Sequence, residues 1–279
     1  METYFKKLIS FDQNILAVIL LIAFYTLEQL LNKPFKFQNR PRHLLYSVLL
    51  QVGYLVVNYV YAFILIICFQ WIDEHHVGIL NQVIVPYPLK IIIGLFCFDF
   101  IFYWAHRLYH ITPVFWRLHR VHHSDTSMDS ATSFRFHPFD ALLDSTMSIV
   151  AAAIFGLNIE TILFFFVLYL PLSFAQHSNL IFPRWSDTLF GKVFVSPNLH
   201  KVHHHQRQEF TDSNYGFIFI FWDKFFGTYK YLPVKEIEYG LKEFDEPKKQ
   251  TLWYLLKSPF INIKRIYEED KPLMKDSFK

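Results

Sequence analysis

The sequence is poor in charge, cysteine and glycine, and each shortage excludes a class of protein. Only 18% of its 279 residues are charged, against about 25% in soluble proteins, which argues against a soluble globular fold. Its two cysteines, Cys68 and Cys97, lie inside apolar runs, so we expect buried thiols and not a disulfide. The sequence contains no G-x-G-x-x-G, no C-x-x-C-H and no cysteine set for an iron–sulfur cluster, and it therefore offers no site of these kinds for a redox cofactor.

Positive charge is also too sparse to indicate a nucleic-acid-binding protein. The net charge is +3, and the lysines and arginines do not gather into one stripe. They lie between apolar segments, where such residues orient a membrane protein. The first long apolar run is not followed by a small-residue cleavage pattern, so we expect it to be retained as a membrane anchor and not removed as a signal peptide.

Apolar residues dominate the sequence: 53% are hydrophobic and 19% are aromatic. Several apolar runs approach the roughly 20 residues that a membrane-crossing helix needs. They are Ile15–Leu31, Leu44–Trp71, Leu89–Ala105, Ala141–Gly156 and Ile159–Gln176. The last two are short and are joined only by residues 156–158, which predicts a helical hairpin, either crossing or re-entrant. We therefore expect an all-α integral membrane protein with about four to five transmembrane or re-entrant helices and a cytosolic, histidine-rich helical cap.

The charges between the runs predict an orientation. The first connection holds Lys33, Lys36, Arg40 and Arg42, whereas residues 72–88 hold no lysine or arginine. By the positive-inside rule the first connection is cytoplasmic, and the third run returns to the cytoplasm just before His106. Lys6 and Lys7 would then lie outside, against the rule, but they are outnumbered.

We divide the chain into an anchor region over residues 1–88, a catalytic domain over 89–228 and a cytosolic or interfacial tail over 229–279. The stretch QTLWYLLKSPF, residues 250–260, has two interpretations. It is either an amphipathic helix in the membrane interface or an ordinary helix packed on the cap.

Histidines carry the chemistry that the sequence predicts. Eight of its fourteen histidines fall into three boxes with spacings of three or four residues, so that side chains within a box share a helix face. The boxes are His106 and His110; His119, His122 and His123; and His200, His203 and His204. The H-x-x-H-H pattern occurs twice, which chance does not explain, and the adjacent histidines within it can diverge towards different metals.

Eight imidazoles are too many for one tetrahedral zinc, which takes four ligands, and they suit two metals with four or five nitrogens each. Neutral imidazole is a common metal ligand, whereas clustered imidazolium ions would repel one another. His177 is a further candidate ligand, and His137 is either a ligand or a supporting or structural residue. We expect His205 to be a bystander, and His43, His75 and His76 to be solvated in connecting loops.

Several segments together resemble the fatty acid hydroxylase/sterol desaturase superfamily, and they are most similar to its bacterial members. The segments read DFIFYWAHRLYH (99–110), FWRLHRVHHSD (115–125), FRFHPFD (134–140), QHSN (176–179) and NLHKVHHHQRQEFTDSNYGFIFIFWDKFFGT (198–228). The resemblance covers roughly residues 89–228, half the chain. The resemblance places the three boxes and His177 at a di-iron site, with no catalytic residue beyond the metal ligands. It also matches Asp212, Asn214, Tyr215 and Gly216 to a D-x-N-Y-G segment, which we expect to support the site or shape its mouth.

The resemblance implies a non-haem di-iron enzyme, with zinc as an adventitious substitute, in the inner membrane of a bacterium. Such an enzyme uses O2 to hydroxylate or desaturate a lipid: a sterol, hopanoid, fatty acyl chain, ether lipid or carotenoid. Because the sequence holds no electron carrier, a separate ferredoxin, reductase or cytochrome b5-like protein must supply electrons.

Two other functions are weighed against an oxygenase. A membrane metal carrier or sensor would place ionisable residues along a path across its spans, whereas we expect them on one side only. An intramembrane zinc hydrolase would need an H-E-x-x-H motif, which the sequence lacks.

Overall fold

The chain folds into helices. The computed structural model describes residues 12–31 and 39–266, and this part contains isolated β-bridges but no strand. The helices are α1 Gln13–Leu30, α2 Arg40–Glu74, α3 Tyr87–Ile111, α4 Pro113–His123, α5 Asp140–Phe155, α6 Ile159–His177, α7 Arg184–Thr188, α8 Pro197–His203, α9 Gln208–Thr211, α10 Phe221–Phe225 and α11 Leu252–Lys257. The predicted all-α class is confirmed.

Four helices, α1, α2, α3 and α6, are long and apolar enough to cross a membrane, with 18, 35, 25 and 19 residues. Local sequence fixes where they begin. Asn39 caps the first turn of α2 through Arg42 N, Pro88 occupies the first turn of α3, and Asn158 caps α6 through Thr161 N. At 1.5 Å per residue, α2 is about 50 Å long, well beyond the roughly 30 Å hydrocarbon core, so α2 is longer than a crossing requires.

The predicted hairpin has its short connection but not its packing. Helix α5 is only about 24 Å long, shorter than the hydrocarbon core, and it ends at Gly156 in the left-handed conformation (φ 70°). Helix α5 packs mainly on α2 and α3, and α6 packs mainly on α1 and α3. The two helices therefore share α3 as a partner and do not form a closely paired hairpin.

A buried ion network ties the ends of α1 and α2 to the segment that follows α4. Arg40 of α2 donates to Glu28 of α1 and, through Nε, to Asp129 Oδ2 at 3.0 Å. Glu28 Oε1 also accepts the backbone N–H groups of Ser130 (2.9 Å) and Asn179 (2.8 Å). The α1 and α2 ends thus lie on the histidine side of the molecule, as the predicted topology requires. Lys6, Lys7, Lys33 and Lys36, used in predicting orientation, lie outside the described residues.

His43 belongs to the same network, so the expectation that it is solvated in a loop is wrong. It lies in the first turns of α2 and contacts Asp125 Oδ2 at 2.7 Å and Asp129 Oδ1 at 3.4 Å. The physical reason is that two buried carboxylates of the cap need a partner with donors. His75 and His76 are exposed at the other end of α2, as expected.

The C-terminal stretch packs on the cap, which favours the second of its two interpretations. Leu255 of α11 is buried with Leu50 and Val121, and Arg120 of α4 donates to the Ser258 carbonyl. Trp253 on the opposite face is 75% exposed. The division of the chain into three regions stays a prediction.

Candidate metal centre

Four elements bring the predicted histidines together at one end of the helices. Helix α3 carries the first box near its C-terminal end, α4 carries the second, and α8 with its C-cap residue His204 carries the third. His177 is the last residue of α6. All of these side chains are buried, and they form two groups. The five-histidine group consists of His106, His110, His119, His123 and His203, and the four-histidine group of His122, His177, His200 and His204.

Each group is compact enough to hold one metal ion. Within a group, each residue offers one ring nitrogen, and these nitrogens all lie within 4.8 Å of one another. The adjacent histidines diverge as expected: His122 and His123 enter different groups, and so do His203 and His204. Helix geometry explains this, because residues four apart share a face while neighbours point about 100° apart.

The hydrogen bonds of the rings leave lone pairs facing the interior of the groups. His106, His177 and His203 each direct Nδ1 at a backbone carbonyl, that of Tyr215 (2.8 Å), Ser173 (2.8 Å) and Ser213 (2.7 Å) respectively. A carbonyl cannot donate, so Nδ1 carries the proton and Nε2 the lone pair. Metal-binding histidines typically have their second nitrogen held in this way.

Several of the buried nitrogens have no hydrogen-bond partner in the described part of the chain. They include Nε2 of His110, His123, His203 and His204. Pairs of Nε2 atoms also approach each other closely, at 3.2 Å for His106 and His119 and 3.1 Å for His122 and His177. Because buried polar atoms are rarely left unpaired, these nitrogens fit metal ligands.

Burial keeps the imidazoles neutral. Desolvation, and then the adjacent imidazoles, lower the pKa of His122 and His204 well below the usual histidine range. The same causes lower the pKa of His123 and His200. Neutral imidazole is the form that binds metal.

The D-x-N-Y-G segment lies directly behind the five-histidine group. Asp212 Oδ1 lies 3.2 Å from His110 Nδ1, and the Ser213 and Tyr215 carbonyls hold His203 and His106. Asn214 adopts a left-handed conformation (φ 50°), and its side chain bonds the Leu199 and Lys230 carbonyls. Residues 212, 213 and 215 thus contact three candidate ligands, the first through its side chain and the other two through backbone carbonyls.

Sequence reasoning missed the carboxylates that hold this segment in place. Asp223 accepts the N–H groups of Tyr215 (2.7 Å) and Gly216 (2.9 Å). Asp99, in the middle of α3, accepts from Ile218 N (3.0 Å) and Trp222 Nε1 (2.9 Å). The expectation that ionisable residues lie on one side of the membrane is therefore wrong for Asp99. An aspartate inside an apolar run was the available signal.

The remaining histidines lie outside both groups. His137 contacts the Leu256 carbonyl through Nε2 (3.1 Å) and accepts Phe139 N–H at Nδ1 (3.2 Å). With both ring nitrogens occupied by backbone, it ties the tail to the 134–140 segment. His205 accepts the N–H of Arg207 (2.8 Å) and is a bystander with respect to both groups.

A cavity of about 240 Å³ runs from the histidines into the helices. His106, His119, His122, His177 and His200 line one end of it. Aromatic side chains cover much of the rest, namely Phe102, Tyr109, Phe134, Phe136, Phe166, Tyr169, Phe174 and Phe217. Between Phe166 and His177 the cavity follows α6 over about 16 Å. The aromatic part of its lining suits an apolar chain.

Known proteins match this chain over its histidine-rich part and beyond. The fatty acid hydroxylase family model matches residues 91–228. A very-long-chain aldehyde decarbonylase of Oryza sativa is 31% identical over 222 residues, which are 78% of this chain and 79% of the rice protein. Alkylglycerol monooxygenase of Caenorhabditis elegans is 33% identical over 147 residues, 51% of this chain and 27% of the nematode protein. No solved structure matches the chain.

A third relative, a methylsterol monooxygenase of Arabidopsis thaliana, is 33% identical over 133 residues, 47% of this chain and 49% of the plant protein. Taken with the rice alignment, which covers most of both chains, these matches show that the protein belongs to the fatty acid hydroxylase/sterol desaturase superfamily.

Proposed function

We propose that this protein is a membrane di-iron oxygenase that hydroxylates or desaturates a lipid C–H bond with O2. The observation that carries the proposal is the pair of buried histidine groups at the end of an apolar cavity between membrane helices. The five-histidine group would hold one iron and the four-histidine group the other. Relatives named for alkylglycerol and methylsterol oxidation support a lipid substrate.

Iron is preferred to zinc because of the chemistry required. Bound iron would supply the redox change with O2 that attack on an unactivated C–H bond needs and that redox-inert zinc lacks. The protein's own residues do the rest. Neutral imidazoles bind the metals without added charge, and the carbonyls of residues 213 and 215 orient two of these imidazoles. The aromatic lining excludes water from the reacting carbon.

Electrons are proposed to come from a separate ferredoxin, reductase or cytochrome b5-like donor at the cytoplasmic face. The histidine end is proposed to be cytoplasmic, and a reporter fused after Lys279 should therefore behave as cytoplasmic; an external signal would invert the topology. The bacterial inner membrane stays a prediction, since the relatives above come from plants and an animal.

A metal carrier or sensor is the alternative, and the structure gives it little support. Asp99 lies inside a span, but its oxygens are engaged by backbone and indole donors. Asp99 therefore stabilises a fixed scaffold, and its oxygens are not available to bind an ion that moves across the membrane.

The first test separates the metal groups from a neighbouring histidine. His203→Ala and His122→Ala remove one ligand from each group, and His205→Ala changes a histidine outside them. Iron content and product formation should fall sharply in the first two variants and stay at the wild-type level in the third. Full iron content and turnover in His203→Ala or His122→Ala contradict the assignment of the ligands. Product formed without O2 would rule out an oxygenase.

The second test identifies the substrate. Lipid mass spectrometry of a deletion strain is compared with the same strain carrying the wild-type or the His203→Ala gene. A lipid that gains oxygen or a double bond only with the wild-type gene identifies the substrate and the reaction. The rice relative's name adds very-long-chain aldehydes to the compounds that are followed.

A further inference from the structure

One wall of the cavity is polar, although it lies between membrane helices. Gln51, Tyr54 and Asn58 of α2 line the cavity together with Asp140 and Asp144 of α5. The α2 residues are three and four positions apart and the α5 pair is four apart, so each set shares a helix face. We call these five residues the polar wall. Polar side chains buried among apolar membrane helices are costly and usually functional.

Part of the polar wall is internally satisfied. Asp144 accepts the hydroxyl of Tyr54 at Oδ2 (2.8 Å) and that of Tyr109 at Oδ1 (2.9 Å). Asn58 Oδ1 accepts the hydroxyl of Ser145 at 3.0 Å. These bonds fix the side chains and explain why the wall does not collapse into the cavity.

Asp140 is not satisfied. Its Oδ2 accepts the N–H of His137 at 3.0 Å, but its Oδ1 has no hydrogen-bond partner among residues 12–31 and 39–266, and the residue is only 1% exposed. A buried carboxylate oxygen without a donor is expensive. An outside donor that enters the cavity would remove this cost.

The chemistry of the wall selects the kind of donor. The lining residues include two aspartates and no lysine or arginine, so the cavity offers no cation to pair with a carboxylate or phosphate head group. Asp140 Oδ1 can accept one hydrogen, and the amides of Gln51 and Asn58 lie on the same wall with groups that donate. One acceptor beside amide donors matches an alcohol, which donates one hydrogen and accepts another. An ammonium group has three donors and no acceptor and would leave the amide donors unpaired.

We propose that the polar wall binds the hydroxyl group of a lipid alcohol through Asp140. This rests on the proposed function for its consequence, which is that the oxidised carbon lies close to the hydroxyl. The wall is next to the histidines: the Tyr109 ring lies 5.5 Å from the His119 ring, and its hydroxyl reaches Asp144. Phe136, another lining residue, stacks on His122 at 4.2 Å. A substrate hydroxyl held here leaves the apolar chain to follow α6.

Binding tests the proposal without turnover. Purified full-length protein in detergent is mixed with four probes of equal chain length: 1-hexadecanol, methyl hexadecyl ether, hexadecylamine and palmitate. Apparent Kd follows from the rise in Tm with probe concentration. The variants are Asp140→Asn, whose amide oxygen can still accept His137 N–H, and the control Asp73→Asn on the exposed end of α2.

The alcohol should bind about tenfold more tightly than the ether, because the ether has no hydrogen to donate to Asp140 Oδ1. Asp140→Asn should remove most of that preference, and Asp73→Asn should keep it. Equal affinity of the wild type for alcohol and ether overturns the proposal, and this comparison needs no variant. A preference for hexadecylamine or palmitate over the alcohol also overturns it.

The outcomes separate this proposal from the proposed function. Selective alcohol binding without oxidation of any lipid keeps the polar wall as a hydroxyl site and removes the oxygenase. Lipid oxidation without alcohol selectivity keeps the oxygenase and removes the polar wall as a hydroxyl site.

Discussion

Within residues 12–31 and 39–266, Asp212 is the one side chain whose contact with an outer ring nitrogen of the five-histidine group can be removed by mutation. The other histidines of this group with a bonded Nδ1 contact backbone carbonyls, whereas His110 Nδ1 meets Asp212 Oδ1 at 3.2 Å. Removing such a partner usually lowers metal affinity by 10- to 100-fold. The contact is long and Asp212 is 28% exposed, so water can replace it in part. We therefore expect Asp212→Ala to lower iron affinity by the low end of this range, about tenfold or 1.4 kcal/mol.

A charged acceptor forms a bond roughly twice as strong as a neutral one. Asp212→Asn should accordingly lose about half of that free energy, a factor of about three in affinity. Iron affinity is measured by competition with a calibrated chelator, and far-UV circular dichroism checks that each variant keeps its helices. Loss of the histidine's orientation, and not loss of the fold, is the predicted effect.

Ser133→Ala is the matched control. Ser133 Oγ lies 3.2 Å from His177 Nδ1, but that nitrogen also has the Ser173 carbonyl at 2.8 Å. The serine is redundant, so its loss should change iron affinity by less than about twofold. Wild-type affinity in Asp212→Ala, or an equal loss in Ser133→Ala, would refute the reasoning from outer partners.

Asp223→Ala leaves the N–H groups of Tyr215 and Gly216 and the hydroxyl of Thr228 without their acceptor. The free energy of unfolding should fall by about 3 kcal/mol or more, which should lower the Tm. An unchanged Tm would contradict this expectation. Gly216→Ala places a Cβ 2.6 Å from the Phe219 carbonyl oxygen beside the histidines and should lower iron content. Gly227→Ala, in open space at φ 72°, should cost about 1 kcal/mol and keep its iron; the same iron content in both glycine variants argues against this account. For a lipid alcohol that is turned over, mass spectrometry of the product should place the change within a few carbons of the hydroxyl, and oxidation at the far end of the chain would contradict the polar wall.

The membrane helices and the histidine boxes could be predicted because both are local. Apolar length alone identifies a span, and a spacing of three or four places His119, His122 and His123 without knowledge of the fold. Which box meets which could not be predicted from spacing. The pairing of His106 with His203, for example, depends on how α3 and α8 pack, across about 100 residues.

Residues that act through the backbone were harder to find. Asp223 bonds N–H groups eight and seven positions before it, a contact that no residue pattern encodes. Asp140 attracted notice only as the end of the segment FRFHPFD, where His137 was the candidate. The structure reverses their importance, because both ring nitrogens of His137 contact backbone, whereas Asp140 is a lining residue of the cavity and has a buried oxygen without a partner among the described residues. Its signal was a carboxylate at the edge of an apolar run.

The order in which the ligands occur along the chain has a consequence for biosynthesis. His106 lies in the third span and His204 in the cap, about 100 residues later, and synthesis at about 5–20 residues per second takes about 5–20 s to cover that distance. During this interval neither histidine group is complete, since both need α8. Metal must therefore enter a protein whose membrane helices have already been made. If the proposed function holds, the supply of iron after that interval would determine how much of the newly made protein is active.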